Sequence, residues 1–176
     1  MKSSALKILM VTISLFAFGL GGAYLVVKEG KRQVMGYSLQ LAKKILAESS
    51  QSGKDDADKS IIIERYRSEI NEIDIAFASD ELSLEEITNS LNELFAEKSF
   101  IIALISKLEE IDKKNSPPFF RSWDRLKVDL ETENSKMIFQ TLWGTMIKVH
   151  VNDMEQQKDS REISPEYFKA LNLIYQ

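Results

Sequence analysis

Cysteine is absent from this chain. Its absence excludes disulfides, thiolate metal sites, thiol catalysis and any anchor built on a lipidated cysteine. Histidine occurs once, as His150, which excludes paired-histidine metal sites and multi-histidine catalysis. Seven glycines and three prolines in 176 residues are too few for a collagen-like or low-complexity chain. Positive charge is also in short supply. The chain has 23 basic and 27 acidic side chains, a formal net of -4. Residues 1–28 contribute only Lys2, Lys7 and Lys28, so the remainder holds 20 basic against 27 acidic groups, a net of -7. Phosphate binding needs clustered cations, so nucleic acid is not an expected partner. No glycine-rich phosphate loop, HExxH or GxSxG motif is present.

What is there begins with one long apolar run. Ile8 to Val27 are 20 residues without a charge. As a helix they span about 30 Å, the thickness of a bilayer's hydrocarbon core. Lys7 and Lys28 bracket the run and can snorkel to water, and Tyr24 lies near the end where aromatic rings favour headgroups. Residues 1–28 are read as a single transmembrane anchor. A cleaved signal peptide is the competing reading, with Gly21-Gly22-Ala23 as the small-residue cut site. Against it, the run continues through Tyr24-Leu25-Val26-Val27. Orientation has two opposed indicators. A short Lys-bearing head usually leaves the bulk of the chain outside the cytoplasm, whereas Lys28, Lys31, Arg32, Lys43 and Lys44 follow the span. The expectation is a body on the extracytoplasmic side. Ala17 with Gly21, and Gly19 with Ala23, form small-xxx-small pairs that let membrane helices approach, a weak site for a second copy of the chain. The two pairs lie on opposite faces and define no single seam.

Helical periodicity continues through the body. Val34, Tyr37, Leu41, Ile45 and Leu46 predict a membrane-proximal helix within 29–50, with Gly30 and Gly36 as a swivel. The polar stretch 48–58 marks a boundary, so 29–57 is a membrane-proximal segment and 58–176 a bundle. Ile62, Tyr66, Ile70, Ile73 and Phe77 form a stripe on a second helix, 59–78. Ser83-Leu84-Glu85-Glu86 is a capping box with Leu82 and Ile87 as its staple. It opens a third helix of about 29 residues, whose stripe runs Leu84, Ile87, Leu91, Leu94, Lys98, Ile101, Ile105 and Leu108. Pro117-Pro118 ends it. A fourth helix is expected from Pro118, carrying Phe119, Trp123, Leu126 and Leu130. A fifth is expected over Met137–Val151, although Ile147, Val149 and Val151 also alternate as in a strand. Ser164-Pro165 reads as an N-cap and first helical residue for a last helix.

Candidate chemistry is sparse. Asp55, Asp56 and Asp58 suggest a calcium loop, but Ile61 stands where glycine is needed and Arg67 where the bidentate glutamate belongs. His150 and Asp153 share a helical face, yet no nucleophile or second carboxylate accompanies them. Glu85-Glu86 and Glu109-Glu110 are adjacent, hence about 100° apart on a helix, and make no two-carboxylate site. Residues 117–127 interleave aromatic and basic groups. Phe119, Trp123 and Leu126 fit the core stripe, leaving Phe120, Arg121, Arg125 and Lys127 as a candidate contact for a partner or anionic lipid.

Together these features predict an all-α protein: one transmembrane helix followed by a bundle of four to five amphipathic helices. The expected function is non-catalytic, with no metal and no cofactor. It is a membrane-anchored module that binds a protein partner as an accessory or assembly subunit of an envelope complex. The alternative is a secreted or tethered bundle that binds a small apolar ligand or lipid between helices around Trp123 and Trp143.

Overall fold

The computed structural model describes residues 28–47, 57–156 and 163–175. Among them it is entirely helical. The elements are α1 (Lys28–Ala47), α2 (Ala57–Ala78), α3 (Leu84–Ala96), α4 (Lys98–Lys113), α5 (Trp123–Leu130), α6 (Ser135–Glu155) and α7 (Pro165–Tyr175). No helix among the described residues is long and apolar enough to cross a membrane. The run Ile8–Val27, with Ala17, Gly19, Gly21 and Ala23, lies outside the described residues.

Helix α4 forms the centre. Ten of its 16 residues are buried, because α1, α2, α3, α5 and α6 all pack against it. A helix enclosed on so many sides needs apolar residues beyond one stripe, and the sequence Phe100-Ile101-Ile102-Ala103-Leu104-Ile105 supplies them. Helix α1 belongs to the same core: Leu39, Leu41, Ala42 and Ile45 are wholly buried, and its most extensive packing is with α2. A Cβ at Gly36 would lie 3.5 Å from the ring of Phe77, an ordinary contact, so α1 passes close to α2 at this point without needing a glycine there.

The long third helix expected from the stripe is two helices, broken at Glu97. Neither proline nor glycine causes the break. Glu97 adopts an extended backbone (φ -71°, ψ 113°), and its carbonyl accepts from the amides of both Phe100 and Ile101. In a continuous helix, positions 95 and 100 point about 140° apart. The break lets Phe95 and Phe100 stack at 5.8 Å instead, with Tyr66 edge-on to Phe100 at 5.0 Å. The Glu97 carboxylate is then held by Tyr66 Oη at 2.7 Å and Arg65 at 3.0 Å. Lys98, expected on the stripe, is exposed and donates to the carbonyl of Glu131 at 2.7 Å.

Other local expectations shift by a residue or a turn. Ile63 rather than Ile62 leads the buried stripe of α2, and Ile62 is exposed. Helix α5 starts at Trp123, five residues after Pro118, because Asp112 holds the preceding segment in a non-helical path. Residues Ser135–Glu155 are helix throughout, which settles the strand alternative for Ile147–Val151. The capping box at Ser83 and Glu86 forms in both directions. The Ser164 hydroxyl donates to Asp153 at 2.9 Å and ties the start of α7 to the end of α6.

Candidate functional site

Three places gather polar groups against the core. The first is the start of α5. Asp112, the last-turn acid of α4, is wholly buried. Its oxygens accept from the amides of Phe119 and Phe120 and from Trp123 Nε1, each at 2.9 Å, and from Asn115 at 3.3 Å. A carboxylate that accepts several N–H groups is satisfied without a cation. This clamp corrects the reading of residues 117–127. Phe120 was expected outside the core, but its ring is buried, 4.6 Å from Trp123 and 6.0 Å from Tyr175. Its pinned amide is the reason. Lys127 donates to the buried Glu109, which Lys113 also holds at 2.8 Å. Burial pushes the Glu109 carboxyl up, but these two ammonium groups outweigh it and hold the acid below its usual range. Arg125 is exposed, near Asp129 at 3.8 Å and 5.8 Å from the Tyr175 ring. Of the four candidates only Arg121 and Arg125 face solvent fully.

The second place joins α1, α6 and α7. His150 is buried, and its Nδ1 lies 2.8 Å from the hydroxyl of Tyr167. Tyr37 meets its ring edge-on at 6.5 Å. Burial and the nearby Lys44 push the His150 pKa down, with Asp153 opposing them. Burial also raises Tyr167, so at neutral pH the pair is uncharged. Asp153 is committed to Ser164, and no cluster of three or more metal-ligating side chains occurs among the described residues. Asp58 stands exposed in the first turn of α2, while Asp55 and Asp56 lie outside the described residues.

The third place is a cleft of about 50 Å³ between α1, α3 and α6. Its buried lining includes Met35, Ser38, Leu91, Phe139 and Trp143. Thr88, Asn92, Gln140 and Lys136 border it and are more exposed. Phe95 joins the lining and packs 5.5 Å from Trp143 and 5.8 Å from Phe139. Trp143 is 3% exposed, yet its indole N–H has no acceptor among the described residues. Buried indole donors are ordinarily paired, and leaving one unpaired is costly. Of the two tryptophans expected around a pocket, Trp143 lines it. Trp123 does not, because Asp112 takes its N–H and it packs 6.2 Å from Phe168. The α3 contribution, from Thr88, Leu91, Asn92 and Phe95, was not foreseen.

No protein-family model, curated protein or solved structure matches this chain.

Proposed function

We propose that the protein is a non-catalytic, membrane-anchored helical module that binds a protein partner, as an accessory or assembly subunit of an envelope complex. The tether rests on the apolar run Ile8–Val27, which ends one residue before α1 begins. The observation that carries the partner is on α2. Its inner side delivers Tyr66 and Ile70 to the core, while Ile61, Ile62 and Ile75 are 67%, 42% and 57% exposed. Isoleucine beyond the core face of an edge helix is what a docking helix requires. The body is placed on the extracytoplasmic side, as the short Lys-bearing head implies. A photocrosslinking residue at position 61 or 75 of the full chain, in its native membrane, tests the reading. A discrete adduct from both positions, absent from the exposed control position 89, is expected. Adducts of equal yield at all three positions, or at none, would overturn it.

A second reading, a bundle that binds a small apolar ligand, is favoured by the cleft lined by Trp143.

A further inference from the structure

The outer face of α2 has an order of its own. Ile61, Ser68 and Ile75 recur every seven residues, so successive members are turned by only about 20° and lie along one line of the helix. All three are exposed, and the line runs opposite the buried Tyr66 and Ile70. Two further lines flank it at the same interval. Arg65 and Glu72 lie on one flank, Glu64 and Asn71 on the other, and all four are exposed.

Such a face is complementary to itself. When two copies of α2 lie side by side and parallel, a two-fold axis between them sets Ile61 against Ile61, Ser68 against Ser68 and Ile75 against Ile75. It also sets each flank against the opposite flank of the other copy. Arg65 then meets Glu64 of the second copy within about 1.5 Å along the axis, and Glu72 meets Asn71 in the same way. Each contact occurs twice. Arg65 spends its Nε on Glu69 and one Nη on Glu97, which leaves donors among its five N–H groups for a further carboxylate. Direction is set by α1, which runs against α2: Arg32 binds Asp80 just past the end of α2, and Lys43 binds Asp74 further back. A parallel pair therefore brings both Lys28 ends to one side, where one bilayer can hold both anchors. One helix pair buries less than a standard interface, and confinement in that bilayer supplies the effective concentration it needs.

We propose that α2 is a dimerisation helix, whose outer face pairs in parallel with the same face of a second copy of this chain. The inference rests on the docking reading above and names the partner.

The chain has no cysteine, so single substitutions report the pairing without background. Ile61→Cys, Ser68→Cys, Ile75→Cys and the control Asn89→Cys, at an exposed position of α3, are made in the full chain and oxidised in liposomes. A disulfide needs Cα atoms within about 7 Å. Disulfide dimers from positions 61, 68 and 75, with none from 89, are expected. A dimer from 68 alone overturns the proposal in favour of an antiparallel pair, in which positions 61 of the two copies stand about 21 Å apart along the axis. Dimers from none of the three, or equal dimers from all four positions, also overturn it. Glu64→Arg turns both Arg65–Glu64 contacts into repulsions. Within its own chain Glu64 makes an exposed contact to Arg67 at 3.5 Å, so the fold tolerates the change. In the Ser68→Cys chain it should raise the chain density that gives half-maximal disulfide about tenfold; an unchanged density overturns the register. The photo-adducts from positions 61 and 75 separate the two readings. At twice the chain mass of 20.1 kDa they support self-pairing. At any other mass, with no disulfide dimer, they overturn it and leave the docking reading standing. Neither adduct nor disulfide overturns both.

Discussion

Replacing Asp112 with alanine removes the acceptor for the Phe119 and Phe120 amides and for the Trp123 indole at once. Each unpaired buried donor costs about 1–3 kcal/mol, so Asp112→Ala is expected to lose about 3–5 kcal/mol in urea unfolding. A loss below about 1 kcal/mol would show that water replaces the carboxylate freely. His150 makes a second prediction at the level of a single side chain. Its folded pKa lies below the unfolded value because burial and Lys44 disfavour the imidazolium. The unfolded chain therefore binds the proton more readily, and stability rises with pH across the interval between the two values. Stability is full above the unfolded pKa of about 6.5, falls as the pH drops below it, and levels off below the folded value. His150 is the only histidine, so the slope of the urea midpoint between pH 5.5 and 7.5 belongs to it. His150→Leu should flatten that slope; an unchanged slope would assign it elsewhere. Tyr175 offers no such signal near neutrality, because burial and the Asp129 carboxylate push its hydroxyl up to about 12.

Between helices, the joint at Glu97 is the feature most open to attack. The Tyr66 hydroxyl donates to Glu97 at 2.7 Å and shares a second hydrogen bond with the Ser99 hydroxyl at 2.5 Å. Tyr66→Phe keeps the ring against Phe100 and removes both bonds. It is expected to cost about 1–2 kcal/mol with no loss of helical circular dichroism. A gain of helical signal would mean that α3 and α4 had merged. This joint also shows where reading the chain stops. The capping box at Ser83 is local: the groups that satisfy each other lie three residues apart, and the motif was visible as letters. The helical character of the described elements was legible from their apolar period, apart from Ile147–Val151, which also alternates as in a strand. The break at Glu97 is not local. Its partners, Arg65 and Tyr66, lie more than thirty residues away, and no breaker residue announces it. Asp112 carries no local signal either, since two of its partners are backbone amides, which nearly every residue possesses, and the Trp123 indole lies eleven residues on. The cleft was half legible. Trp143 marked the place, but the α3 wall, with Phe95 5.8 Å from Phe139, is a contact between distant helices that no local pattern spells out.

For the whole chain, the anchor reading makes a direct prediction. The full protein should sediment with membranes, resist alkaline carbonate, and show the uncut mass of 20.1 kDa. Protease added to intact spheroplasts should digest the body. A soluble product beginning at Tyr24 would replace the anchor with a cleaved signal and bring the ligand-binding reading forward. The acidic body, net -7 beyond residue 28, is repelled by anionic lipid and so is expected to stand off the surface rather than lie on it. How it stands off follows from α1. That helix begins at Lys28 and runs through the core, with Leu39, Leu41, Ala42 and Ile45 sealed inside. A pull on Lys28 along the helix axis therefore meets no slack leash. It is resisted in shear, by contacts with α2, α4 and α6 that must all slide together, rather than peeled apart one at a time. Torque applied at Lys28 is likewise delivered to the middle of the bundle rather than to one edge of it.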